Sequence, residues 1–167
     1  MNGVLKRAVT LSVLAIGIMA AMGMQIRAVG AGSTAMNRTE ANSVAIALLE
    51  TLKDLQFDDG NLAFTGNAGA PGNLNQATAR TFTTTAAFPR IAAFVQMPPG
   101  APAGTVVDKS GITYQLSWAV QDNPVDPGKP TEDIPNKTIR VFMAWNSSMG
   151  QNLLEMTTMK YNNIKVL

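Results

Sequence analysis

The fold of this chain is decided by residues 8–55, AVTLSVLAIGIMAAMGM followed by QIRAVGAGSTAMNRTEANSVAIALLETLKDL. The first 17 of these residues, Ala8–Met24, hold neither a charge nor a proline, and no proline interrupts the remainder. The stretch therefore predicts one long helix whose two halves differ in character. The first half is apolar all round. In the second, Val44, Leu48, Leu52 and Leu55 fall on one face, and Ala41, Ala45 and Leu49 widen it into a stripe. Arg38, Glu40, Glu50 and Lys53 lie on the other faces or at its margin. Gly17, Gly23, Gly30 and Gly32 would each weaken a free helix by ~1 kcal/mol relative to alanine. Packed helices tolerate them, because glycine lets backbones approach closely. Asp58-Asp59-Gly60 is the expected stop.

Lys6 and Arg7 directly precede the apolar run, which predicts a cytoplasmic N-terminus with the remainder outside. Three readings of the run compete. A cleaved secretory signal has an apolar centre of ~7–15 residues, and its small-x-small exit would be Ala28-Val29-Gly30, beyond Arg27. An ordinary membrane span needs ~20 apolar residues. The third reading is an anchor that is extracted from the bilayer and buried in an assembly. A helix running straight out of the apolar run favours an anchor over a discarded signal. Residues 36–56 alone would equally suit an amphipathic core helix of a soluble exported domain.

Composition excludes several classes. Charged residues make up 14% of the 167, against ~25% in an average globular domain, while apolar content is 46%. A net charge of +2, with basic residues scattered and no aromatic residues interleaved, does not point to nucleic acid. The chain has no cysteine, hence no disulfide, thiolate metal site or cysteine nucleophile. It has no histidine, so the commonest general base and metal ligand is missing.

Downstream, Asn61–Thr85 is rich in small and polar residues and reads as a surface loop with a short strand at Arg80–Thr85. Its glycines lack the GK[ST] of a phosphate loop. Phe88–Met97 reads as a strand or a short helical turn, broken by Pro98-Pro99-Gly100-Ala101-Pro102. Period-two alternation then predicts three strands. The first carries Ile112, Tyr114, Leu116, Trp118 and Val120 after a turn at Asp108–Gly111. The second carries Ile139, Val141, Met143 and Trp145. The third carries Leu154, Met156 and Thr158, with Leu153, Glu155 and Thr157 opposite. Asn123–Asn136 and Asn146–Gly150 are the connecting loop and turn, which makes neighbouring strands antiparallel. One apolar face of this sheet needs a cover, and the helix stripe is the amphipathic element long enough to supply it. The fold class is thus α+β: a long N-terminal helix, part apolar anchor and part amphipathic, packed on a C-terminal antiparallel β-sheet. Residues 1–30 form the anchor and residues 31–167 the head, divided into helix (31–57), loop region (58–110) and sheet (111–167).

No catalytic constellation emerges, and the chain is expected to be no enzyme and to need no cofactor. Asp58, Asp59, Asp122, Asp126, Glu132 and Asp133 are loop-placed acids without the spacing of a calcium loop, and they read as solvated. Ser147-Ser148 has no histidine to activate it. Trp118 and Trp145 sit in register with their strands' apolar rows, so core packing is favoured over ligand stacking. Three N-x-[ST] matches, at Asn37, Asn136 and Asn146, carry little weight.

Taken together, Val13-Leu14-Ala15-Ile16-Gly17-Ile18-Met19, Gly23, Gln25 and the helix through Leu55 resemble the type IV pilin-like proteins. The segments YQLSWAVQ, TIRVFMAW and LLEMTT look like the closing sheet of one branch. That branch is the minor-pilin family called type IV pilus modification protein V, with the type II secretion minor pseudopilins as cousins. The resemblance covers about two thirds of the chain; residues 61–105 lie outside it. It implies a pilin-like fold and a structural role in a filament. The subunit would be anchored in the bacterial inner membrane with its head outside, before assembly into a periplasmic or extracellular filament. Implied partners are membrane lipid, other pilins or pseudopilins, an inner-membrane assembly platform and a prepilin peptidase, but no nucleic acid. Leu11, Val13, Leu14, Ile16, Ile18 and Met19 would pack in membrane and filament, and Gly3 would be the processing glycine. The chain departs from the family pattern: aligned on Leu14-Ala15-Ile16-Gly17, it has Met1, Asn2 and Lys6 where prepilins carry a glycine, an aromatic residue and a glutamate, and Gly3 is followed by Val4 with no glutamate nearby. The alternative is an exported soluble β-rich binding domain with a cleaved signal peptide.

Overall fold

The computed structural model describes residues 2–65, 74, 76–85, 88–123, 135–147 and 150–162, with side chains described at position 7 and from position 9 onward. Helix α1 runs from Asn2 to Asp54 without a break. It starts six residues earlier than the apolar run suggests and stops just short of Leu55. Asp58-Asp59-Gly60 is not its stop. The Asp59 side chain instead accepts a hydrogen bond from the Asn61 N–H (2.8 Å) and caps a short 3₁₀ turn over Gly60–Leu62. The end of α1 is held by Lys160, whose Nζ donates to the Lys53 carbonyl. A cation there satisfies an orphan carbonyl and complements the negative end of the helix dipole. The chain divides into two compact units, Met1–Asn37 and Arg38–Leu167, and α1 contributes to both.

The second unit holds the sheet. After α1 come β1 (Arg80–Thr81), the one-turn helix α2 (Pro89–Ala92), β2 (Val95–Gln96), β3 (Thr105–Asp108), β4 (Thr113–Asn123), β5 (Asn136–Ser147) and β6 (Gly150–Tyr161). Their order is β2-β3-β4-β5-β6, all antiparallel, with β1 also paired to β4. The three alternating segments therefore form β4, β5 and β6. The stretch expected to be a strand or a helical turn is both, as α2 then β2. The expected strand at 80–85 shrinks to two residues. The sheet also takes β3 from the stretch read as loop, and Asp122 lies in β4 rather than in a loop. Residues 66–73, 124–134 and 148–149, with the loop glycines, Asp126, Glu132, Asp133 and Ser148, lie outside the described residues.

One edge of β4 pairs with β5 along its length, while the other is filled by a relay of short segments. Residues 105–107 pair with 113–115, and residues 80–81 pair with 117–118. Between them the Leu116 N–H donates to Gly104 O (2.8 Å) and the Phe82 N–H to Leu116 O (3.1 Å). Thr65 ends the relay: its N–H donates to Val120 O (2.9 Å), and its hydroxyl accepts from the Val120 N–H (2.6 Å). Every such bond spares a buried backbone group the cost of going unpaired.

The core lies between this sheet and the second half of α1. Ala41, Val44, Ala45, Leu48 and Leu52 share one buried cluster with Tyr114, Leu116, Trp118 and Val120 of β4 and Ile139, Val141, Met143 and Trp145 of β5. Leu154 and Met156 of β6 pack against it. The buried part of the helix is wider than the stripe, because Ala47 and Thr51 are also covered. Leu62, Phe82, Phe88 and Ile91 join the same cluster, and Arg90 of α2 bridges Glu50 and Asp54 of α1 (3.7 and 2.7 Å). Both tryptophans are core residues, and Trp118 Nε1 donates to Asn61 O (2.9 Å). On the sheet's opposite face, Leu74 covers Ala119 and Phe142.

Gly104 marks the tightest point of the relay. Its φ is +85°, and a Cβ there would sit 2.6 Å from Thr81 Cγ2 and 3.2 Å from Leu116 O. Gly104→Ala should therefore lower the unfolding free energy by ~1–3 kcal/mol, from left-handed strain plus overlap. Gly60→Ala, with open space around it, should change little. Denaturant unfolding followed by circular dichroism checks both; equal effects at the two sites would contradict the relay.

Candidate functional site: an uncovered apolar helix and a carboxyl pair

In the first unit, eleven large apolar side chains from Val9 to Val29 are exposed, at 48% to 73% of their surface. Leu11, Val13, Leu14, Ile16, Ile18 and Met19 are among them. At roughly 100° per residue these six positions are spread around the helix axis, so no single partner face could cover them all. Burying one such side chain fully is worth ~1.5–3 kcal/mol. Eleven of them together reach or exceed the ~5–15 kcal/mol that holds an ordinary domain folded. The helix is long and apolar enough to cross a membrane. Gly3 lies in its first turn.

In the second unit, the helix end of the core is closed by polar groups that the sequence did not bring together. Asp108, at the end of β3, accepts from the Ser110 N–H (2.9 Å) and the Ile112 N–H (2.8 Å) through Oδ1, and from the Tyr114 hydroxyl (2.8 Å) through Oδ2. Glu40 of α1 meets this turn: its Oε1 accepts from Ser110 Oγ (3.0 Å), while its Oε2 is buried with no partner for an ionised oxygen. A proton on Glu40 eases the conflict, because the protonated carboxyl can donate to the neighbouring Asp108 carboxylate. The hydrogen bond with Asp108, aided by burial, accordingly raises the Glu40 carboxyl above its ordinary 4.5. Burial pushes Asp108 upward, but the bonds from Ile112, Glu40, Tyr114 and Ser110 outweigh it and hold its carboxyl below the ordinary 3.8. Burial, then the Asp108 carboxylate, pushes the Tyr114 hydroxyl well up.

Two open clefts of about 330 and 130 Å3 flank the pair and share Phe94, Asp108 and Lys109. Among the described residues no group of three or more acids is placed to hold a metal ion. The pair can hold or release one proton and pin the β3–β4 turn to α1. No sequence signal announced it, because Glu40 and Ser110 are 70 positions apart.

Comparison with family models, curated proteins and solved structures found no match to this chain.

The shared proton gives a pH dependence. Glu40 has a raised folded pKa, so its contribution to stability is present below about 4.5 and is lost as pH rises through the raised value. Asp108 has a lowered one, so its contribution is present above 3.8 and lost only as pH falls below that. Glu40→Gln keeps a donor toward Asp108 and cannot ionise. At pH 8 the variant should be more stable than the parent by up to ~1 kcal/mol, an amount in line with exposed charge pairs. At pH 4 the difference should vanish or reverse. Parallel denaturant titrations at the two pH values test this, and a variant less stable at pH 8 contradicts it.

Proposed function

We propose that this chain is a non-enzymatic, single-pass membrane-anchored subunit of a pilus-like filament, a minor pilin or pseudopilin. The observation that carries the reading is the ring of exposed apolar side chains from Val9 to Val29 in a helix long and apolar enough to cross a membrane. Water does not accept such a surface; lipid does, and so do neighbouring helices of the same kind. The charge pattern supports the first host. Arg7 and Arg27 bracket 19 uncharged residues. At ~1.5 Å per residue they stand about 30 Å apart, the thickness of a bilayer's hydrocarbon core. Long basic side chains reach from such positions to the headgroups.

In this mechanism the anchor waits in the inner membrane with the head outside the cytoplasm. Assembly machinery then extracts it, and the apolar half passes from lipid into a bundle of neighbouring helices. The transfer exchanges one apolar host for another, so it does not require exposing the run to water. The head, closed by its own sheet and the second half of α1, stays folded throughout. It would tune initiation, adhesion or secretion.

The test uses the full chain and a chain lacking residues 1–30. The full chain should float with lipid vesicles and resist salt extraction. The truncated chain should be soluble, monomeric and folded by circular dichroism. A full chain that is soluble without lipid or detergent contradicts the reading. A mature protein beginning near Ala31 in cell extracts would support the exported-domain alternative instead.

A further inference from the structure

We propose that Glu40 and Asp108 form a proton-operated latch, which closes the β3–β4 turn onto α1 and, once the proton leaves, lets the turn swing away and open the cleft beside Phe94. The latch stands where α1 enters the second unit, Glu40 being the third residue of that unit. The turn is a body of its own. Asp108 Oδ1 accepts from the Ser110 and Ile112 N–H groups, the Asp108 N–H donates to Ile112 O (3.0 Å), and the Gly111 N–H donates to Asp108 O (3.1 Å). None of these bonds uses α1, so the turn keeps its shape whether or not the helix touches it. Glu40 supplies a bond from the helix, accepting from Ser110 Oγ at 3.0 Å. That bond and the shared proton belong to one carboxyl group, so they are made and lost together.

An ionised Glu40 does not fit its place. Its Oε2 is buried with no partner, and the Asp108 carboxylate stands beside it. A buried unpaired oxygen and a facing like charge both drive the carboxyl toward water. The other groups around the pair do not offset this. Lys109 lines the same cleft but leaves Oε2 unpartnered, and the Tyr114 hydroxyl from β4 donates to Asp108. On α1, Ser43 is neutral, and Arg38, two residues before Glu40, lies on another face of the helix. Arg90 of α2 is engaged by Glu50 and Asp54.

The cleft that opens is the one of about 130 Å3, where Ser43, Val44 and Phe94 lie beside the pair. Asp108 and Lys109 also line the neighbouring cleft of about 330 Å3, so one movement of the turn widens both. It uncovers Val44, which is buried in the closed head, next to Phe94, which is already 42% exposed. The latch is closed where Glu40, raised above 4.5, keeps its proton while Asp108, held below 3.8, has lost its own. It opens as pH rises through the raised Glu40 value.

The test uses the full chain in phosphatidylcholine vesicles, with spin labels on Ile46→Cys of α1 and Lys109→Cys of the turn, both exposed positions. The distance distribution is measured at pH 4.5 and at pH 8. From the lower pH to the higher, the fraction at long distance should grow by up to about fivefold, the equilibrium change that an exposed charge pair can produce. In the Glu40→Gln background the distribution should stay in its pH 4.5 form at both values. The Lys109 charge is missing from both backgrounds, so their difference isolates Glu40. A second label pair, Ile46→Cys with Thr157→Cys of β6, should not respond to pH. A distribution that ignores pH overturns the latch, since Glu40 then turns to water alone. A pH response that survives Glu40→Gln overturns it as well. So does a parallel change in the Ile46–Thr157 distance or in far-ultraviolet circular dichroism, because the whole head would then loosen rather than the turn.

Discussion

The burial of Val44, Leu48 and Leu52 of α1 in one cluster with the inward rows of β4 and β5 is the contact on which the rest of the second unit depends. A sheet with one uncovered apolar face is not stable in water, and neither is an amphipathic helix of this length alone. Each supplies what the other lacks. Leu48 and Leu52 are fully buried, and truncating a residue of that kind to alanine costs ~2–5 kcal/mol. The polar contacts act at the margins of this core. Glu40 meets the β3–β4 turn, Arg90 meets Glu50 and Asp54, and Lys160 meets the last turn of the helix. At the far end of β4 and β5, Lys137 pairs with Asp122 (2.5 Å) and lies 4.8 Å from the centre of the Phe57 ring. These contacts fix where along the sheet the helix lies, while the apolar cluster supplies most of the free energy.

A single helix thus carries two kinds of surface. Ala41, Val44, Ala45, Ala47, Leu48, Leu49, Thr51 and Leu52 are covered by their own chain. The large apolar side chains from Val9 to Val29 are exposed, although both stretches are α-helical. The division into units at Asn37/Arg38 falls between the exposed stretch and the buried one. This is the physical basis for assigning the first unit to lipid or to other helices, and it is independent of any resemblance in sequence.

The sequence made the long elements legible and hid the short ones. Alternation over Ile112–Val120 and Ile139–Trp145 marks β4 and β5, because a period of two sustained over nine or seven residues suits a half-buried strand and would scatter apolar side chains around a helix. β1 and β2 have two residues each and β3 has four, too few for any period to show. Their existence is set by the open edge of β4, whose backbone groups recruit whatever segment is nearest. The role of Gly104 as the point where Thr81 and Leu116 close in had no signal in the sequence. The helix stripe was legible in Val44, Leu48 and Leu52. The helix end was not, because Lys160, which holds the Lys53 carbonyl, lies 107 positions away. The carboxyl pair was invisible for the same reason: Glu40 read as a margin residue, and only the folded chain places it against Asp108. The uncovered apolar run, by contrast, was plain from composition alone, since local sequence decides whether a helix can bury itself on one side.

The chain has no native cysteine, so single cysteines can report each half of α1 without background. The most direct measurement compares Ile16→Cys with Leu48→Cys in the full chain, using a water-soluble thiol reagent in intact vesicles and again after the lipid is removed. Leu48→Cys should be shielded in both conditions, and Ile16→Cys should be shielded only while lipid is present. An Ile16→Cys that reacts in intact vesicles as fast as in the unfolded chain would contradict the two-environment helix.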